Sequence, residues 1–379
     1  MDVRQLVSST MSASELAPLG DIKPSLVLVF GSVGAMRDPA CAGTLRTAFP
    51  EADIVGCSTA GEIAGERVRE GCSVVTAIRW DRTTHRIAKA QVRQIPQSGD
   101  AGRSLGRALA APDLRAVLIF GKGLGINGST LIDGIVAEVG NSVAISGGLA
   151  GDGGAFQETL TLCPDGIDPD GVVAIGLYGD AVRVGLGSFG GWQPFGPARR
   201  VTRCDGNILY ELDGQPALAL YRQYLGDYAK DLPSSGLLFP FEMLREDHST
   251  VGLIRTILGI DEATGALVLA GDIDANGYLR LMHANTEWLV DGAETAARHA
   301  RDALGDDTPI GLGLLVSCVG RKLVMGDAVE DEVEAVSNLL GRQTTIAGFY
   351  SYGEIGPFQS MLDCKLHNQT MTVTFVGER

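Results

Sequence analysis

Two distant stretches of this chain are near copies of each other: IVGCSTAGEI at 54–63 and IAGFYSYGEI at 346–355. Each reads as a short apolar strand leading into Gly-x-x-x-x-Gly-Glu-Ile, with Gly56 and Gly61 in the first and Gly348 and Gly353 in the second. With 51 glycines and 46 acidic residues among 379, chance alone yields the bare glycine-acid pattern roughly 0.8 times. The pattern by itself constrains nothing, so its setting decides.

Both copies close the same series of elements. In the first, SLVLVFGS (25–32) leads through Asp38-Pro39, a helix start, to Cys41, Leu45 and Phe49 at helical spacing, then to the strand and loop. In the last, PIGLGLLVSCVGR (309–321) precedes a helix carrying Val329, Val333, Val336 and Leu340 on one face, with Gly341 as its stop. A weaker third copy lies between them. LRAVLIFGKG (114–123) is followed by Ser129 or Thr130 as N-cap, a helix ending at Gly140, and VAISGGLAGDG (143–153), where Gly151 and Asp152 replace the Gly-Glu pair and Ser146 the first glycine. These units predict an α/β fold with mixed β-sheets and helices packed on them, arranged as two tandem halves that reuse one strand–helix–strand–glycine-loop element. Strand-like returns without a helix, such as 73–80 and 85–95, make the sheets mixed and not purely parallel.

Residues 1–22 read as a short helix or loose lead-in, and the first domain then runs over 23–200. Glycine and proline crowd 190–206, where Trp192 and Phe195 are expected to seal a joint with a second domain, 201–379. That domain holds an amphipathic helix at 217–226, a hairpin turn at 260–267, a helix around 293–304 and the last unit.

A net charge of −15 argues against a nucleic-acid partner, because phosphate backbones need clustered Lys and Arg. No apolar run is long enough for a membrane helix, and the first 20 residues lack the basic and apolar parts of a signal peptide, so a cytosolic protein is expected. Seven cysteines without Cys-x-x-Cys pairing indicate reduced thiols and neither a disulfide framework nor a zinc site.

The candidate chemistry starts with Glu62, Asp152 and Glu354. A glycine loop at a strand end brings backbone amides close to a ligand while the carboxylate accepts hydrogen bonds; the alternative is that the acids cap turns. GLGING at 123–128 follows a strand and opens a helix, but the acid that would hold a ribose is missing from the tip of the next strand. Cys57, Ser58 and Thr59 invite a nucleophile reading, without the Gly-x-Ser-x-Gly elbow or a histidine in base context. Arg321 can face an anion or bridge to Glu354, and Cys318 can be a pocket thiol. His367, on an alternating strand with Asn368, Gln369 and Thr370, can be a satisfied strand residue, a pocket group or an iron ligand.

VGCSTAGEI, GGLAGD, ALALYRQYLG, SCVGR, GFYSYGEIGP and LHNQTMTV, in this order, resemble the FIST signal-transduction proteins, built from a FIST N and a FIST C region. The resemblance covers nearly all of 24–376 and makes 23–200 the FIST N and 201–379 the FIST C domain. It implies a non-enzymatic sensory module for a small, amino-acid-like ligand. Since both regions use up the chain, such a protein is expected to signal to a separate partner, such as a histidine kinase or a cyclic-di-GMP enzyme. The alternative it brings is the haem-based nitric oxide sensor of stand-alone members, with His367 as the axial choice; a Cys-dependent enzyme is the third reading. The expected ligand site comprises Cys57, Ser58, Thr59, Gly61, Glu62, Gly151, Asp152, Cys318, Arg321, Tyr350, Tyr352, Gly353, Glu354, His367 and Asn368.

Overall fold

The computed structural model describes residues 1–305, 307–341, 344–358 and 363–379. Three pairs of parallel strands organise it: Leu26–Gly31 with Asp53–Ser58, Leu114–Gly121 with Ala144–Leu149, and Leu312–Cys318 with Thr345–Ser351. Each pair is the centre of a six-stranded sheet. On one side lies an antiparallel return strand, Ser73–Arg79, Gly171–Tyr178 or Met371–Glu378, and beyond it an antiparallel edge strand, Asp2–Ser8, Thr84–Gln91 or Val182–Phe189. On the other side lies a hairpin. The α/β class with mixed sheets is therefore as the sequence predicts.

The hairpins are exchanged in a cycle. The one that follows the first parallel pair, Glu62–Ala64 with Arg67–Arg69, joins the third sheet through Thr345–Ser351. The one that follows the second pair, Thr161–Cys163 with Gly166–Asp168, joins the first sheet, and Gly353–Pro357 with Cys364–His367 joins the second. The three sheets enclose one apolar core, in which Phe30, Phe120 and Phe349, one from each sheet, meet with ring centroids 4.7–6.1 Å apart. Helices cover the outer faces: Ala13–Gly20 and Pro39–Ala48 on the first sheet, Ser98–Leu109 and Gly128–Val139 on the second, Thr286–Leu304 and Glu330–Ser337 on the third. The fourth sheet spans Gln193–His283 and packs against helix Ala217–Leu225 around its own core.

Several local expectations shift. The lead-in is a strand, Asp2–Ser8, in full register with Ser73–Arg79, followed by a helix with a Ser12–Glu15 capping box. Its burial does not alternate along the strand, so periodicity gave no sign of it. The N-cap of Gly128–Val139 is Asn127, whose side chain accepts from the Thr130 amide, and not Ser129 or Thr130. The last-unit helix stops at Ser337, short of Gly341. Residue 200 lies inside strand Gln193–Asp205, which takes up Gly196 and Pro197 at a register shift between Phe195 and Arg199; Trp192 is buried there but Phe195 is 44% exposed. Finally, Gly147 and not Ser146 matches the first glycine of the other loops. A Cβ on Gly56, Gly147 or Gly348 would come within 1.8–2.0 Å of the carbonyl oxygen of Val29, Ile119 or Leu315 on the adjacent parallel strand, so these positions tolerate only glycine.

Candidate functional site

The three glycine loops meet one another. Ser58 and Gly151 exchange backbone and hydroxyl hydrogen bonds at 2.9 and 2.8 Å, and the Gly153 amide donates to Thr59 O at 3.1 Å. Tyr350 accepts from the Ala60 amide and donates its own to Gly61 O, both at 2.8 Å, while the Tyr352 amide donates to Leu149 O at 3.1 Å. Ser58 also accepts from the Leu160 amide, so its hydroxyl is committed to the junction. Cys57 is fully buried and burial pushes its thiol far up, which withholds the thiolate a nucleophile needs.

Beside this junction opens a cleft of about 270 Å³, whose lining includes Ser32, Thr59, Gly61, Glu62, Glu70, Asp152 and Lys322. Thr59 donates to Glu62 at 2.5 Å, and the Cys72 thiol approaches the other carboxylate oxygen at 3.4 Å. Burial raises the Glu62 carboxyl above its ordinary value, against these bonds and the nearby Lys322 charge. Lys322 donates to Ala60 O at 2.7 Å and to Glu70, a side chain 72% exposed. Asp152 accepts from the amides of Phe156, Gln157 and Glu158 at 2.6–2.9 Å and from the Tyr352 hydroxyl. It caps its loop, and its hairpin begins only at Thr161, so it is not the counterpart of Glu62 and Glu354, which lie in the first strands of theirs.

Glu354 lies elsewhere, sealed. Ser351 donates to it at 2.5 Å, and the Thr370 amide and hydroxyl at 3.3 Å. Burial pushes its carboxyl up to about 8 in spite of these donors. Cys318, at the end of its strand, is buried with it, and burial with the nearby Glu354 charge raises that thiol too. Gly353 begins the strand that carries Glu354 and pairs with Leu149. His367 stands opposite Glu354 in register and ends its strand; Asn368, Gln369 and Thr370 form the following turn and not a continuation, with Gln369 at φ 64°. The Asn368 Oδ1 is buried with no partner among the described residues. That turn is held from the fourth-sheet side: Gln369 donates to Leu237 O and Thr256 Oγ1 at 2.9 and 3.1 Å, and the Trp192 indole donates to Gln369 O at 2.8 Å.

Arg321 does not bridge to Glu354. Its guanidinium donates to Glu332 at 2.7 and 3.0 Å, both side chains fully buried, and to the carbonyls of Leu289 and Gly190. Ser317 and Tyr350 donate to the second Glu332 oxygen at 2.8 and 2.6 Å, which completes the carboxylate's shell. The network ties helix Glu330–Ser337 to the third sheet.

Against known families, residues 25–215 match the FIST N domain and 217–357 the FIST C domain. The chain belongs to the FIST family. An uncharacterized protein of Mycobacterium tuberculosis, Rv0628c, is 25% identical over 396 residues, 94% of this chain and 92% of its own. An uncharacterized protein of Mycobacterium bovis, Mb0898c, is 27% identical over 225 residues, 56% of each chain. Among solved structures, a cyanuric acid hydrolase from A. caulinodans covers 100% of this chain and 99% of its own, at 10% identity and TM-score 0.36.

In this FIST protein His367 does not fit an axial haem ligand. Its Nε2 faces the Gly356 carbonyl at 3.3 Å inside a closed strand pair, and burial pushes it down to about 4. The fold thus sorts the expected residues into groups. Thr59, Gly61, Glu62 and Asp152 line the open cleft; Cys57, Ser58, Gly151 and Tyr352 build the junction behind it; the rest belong to the sealed region or the Arg321 network. The sequence reading missed Lys322, Glu70, Cys72 and Ser32. A signal existed: FGSVG at 30–34 parallels VSCVG at 316–320, which marks Ser32 and the segment after Cys318 as matching strand ends.

Proposed function

We propose that this FIST protein is a cytosolic, non-enzymatic sensor that takes a small amino-acid-like ligand in the Glu62–Lys322 cleft and passes its occupancy to a separate signalling enzyme, a histidine kinase or a cyclic-di-GMP enzyme. The observation that carries the reading is opposite charge across one cleft: a buried carboxyl held by Thr59, and an ammonium whose carboxylate partner Glu70 is mostly in water. A ligand carboxylate displaces Glu70 from Lys322 at little cost, since exposed ion pairs contribute about 0–1 kcal/mol. The ligand ammonium then meets Glu62 and favours its ionised form. Occupancy has a route outward through Asp152: Tyr352, bonded to it, also lines a separate cavity beside Leu366 and residues 269–272, at the end of the fourth-sheet strand Ala266–Leu269. The raised thiols of Cys57 and Cys318 support the non-enzymatic reading, and seven free cysteines support a reducing compartment. No described helix is long and apolar enough to cross a membrane. The matching strand plans of the three sheets support a single ancestral unit used three times.

Calorimetric titration of the purified protein with a panel of free amino acids tests the site. Glu62→Gln and Lys322→Met should each weaken the best binder at least about tenfold, or ~1.4 kcal/mol. Unchanged affinity in both variants would remove the cleft from consideration.

A further inference from the structure

The cleft does not end where a single amino acid would. A second cavity of about 610 Å³ shares Ser32, Gly34 and Gly71 with it and runs between the loop at 9–12 and the helix Pro39–Ala48. The neck is open: a Cβ on Gly34 would meet only Ser32 Oγ, at 4.0 Å, and one on Gly71 would meet nothing within 4 Å. At about 270 Å³ the first cavity falls below the ~300–1,000 Å³ of pockets that enclose drug-sized ligands, whereas the second lies within that range.

Resting on the reading of the first cleft as an amine-binding site, we infer that the ligand is a short peptide with a free amino terminus, its ammonium at Glu62 and its tail in the second cavity. The chemistry of that cavity selects the tail. Its hydroxyls Ser9 and Thr44 can both donate and accept, as a peptide backbone with one N–H and one C=O per residue requires, while Thr10 donates to Glu15 and Ser12 caps its helix. Its charged lining residue Asp38 accepts from the Ala40 amide at 2.9 Å as a helix cap. Met11 and Cys41, both buried, give the floor an apolar patch for a side chain. Lys322, at the first cleft, faces a carboxylate in a free amino acid and a main-chain carbonyl in a peptide.

Titrating the full chain with alanine, dialanine and trialanine tests this directly. Trialanine should bind about tenfold tighter than alanine or better. Thr44→Phe, which fills the second cavity away from the cleft, should leave alanine within twofold and abolish the gain for trialanine; Ser9→Trp, on an exposed loop, should do the same if the helix variant folds poorly. Trialanine binding no tighter than alanine, or a gain that survives both variants, overturns the peptide assignment while leaving the amino-acid cleft standing. Failure of both peptides and of every member of the amino-acid panel to bind the wild-type chain overturns the two readings together.

Discussion

The loops Thr59–Glu62 and Ser351–Glu354 share a sequence pattern and a hydrogen bond, hydroxyl to carboxylate three residues on, at 2.5 Å in both. What differs is the cover. Over Glu354 the 368–370 turn is clamped by Leu237, Thr256 and Trp192, so the carboxyl is closed away from water. Glu62 has no such lid; it lines an open cleft and faces Lys322. The same local chemistry thus lies in the wall of a cleft in one place and under a closed turn in the other, with both carboxyls buried. The choice is made by what is laid over the loop.

The strongest way to break the sealed side is through its ion pair. Glu332→Ala leaves the Arg321 guanidinium buried without its carboxylate and should cost about 3–5 kcal/mol in urea unfolding. No cleft residue should approach that figure. Next comes pH. Because the Glu354 carboxyl titrates near 8 in the fold and near its ordinary 4.5 when unfolded, the unfolded chain ionises first, and stability falls as pH rises from 4.5 to 8. His367 has the opposite sign: depressed to about 4, it costs stability only as pH drops below 6.5. Between pH 6.5 and 8, above the range in which His367 acts, Glu354→Gln should flatten the pH dependence of stability by about 2 kcal/mol. A slope that persists in the variant would mean the carboxyl is already ionised in the fold. The smallest effect separates the loops most finely. Ser351→Ala removes a donor from a sealed carboxyl and should cost ~1–3 kcal/mol, whereas Thr59→Ala, at a buried side chain lining a cleft where water can replace the donor, should cost ~1 kcal/mol or less. Equal costs in chemical denaturation would show that the two loops are equally covered.

Much of this was legible in the sequence, where the signal was local. Strands such as 25–32 and 114–121, the helix at 217–225 with Gly226 after it, and the hairpin around 260–267 follow from periodicity and turn residues. The glycine loops were legible as a set because Gly56 and Gly348 meet the same steric demand from a neighbouring backbone. What depends on strand pairing between distant segments was not. Nothing near Glu62 announces that its strand pairs with Phe349, and nothing near Arg321 distinguishes Glu332, on the next long helix, from Glu354. Lys322 escaped for a related reason: it adjoins Arg321 in sequence, yet the helix Val319–Met325 turns one into the core and the other to the cleft.

Because each hairpin completes a neighbouring sheet, neither family region holds all the strands of its own sheets. A gene fragment encoding only residues 1–215 would make the hairpin Glu62–Arg69 without Thr345–Ser351 to join, and would leave Ala144–Leu149 as a raw edge in place of its pairing with Gly353–Pro357. Unpaired edges of that kind invite aggregation.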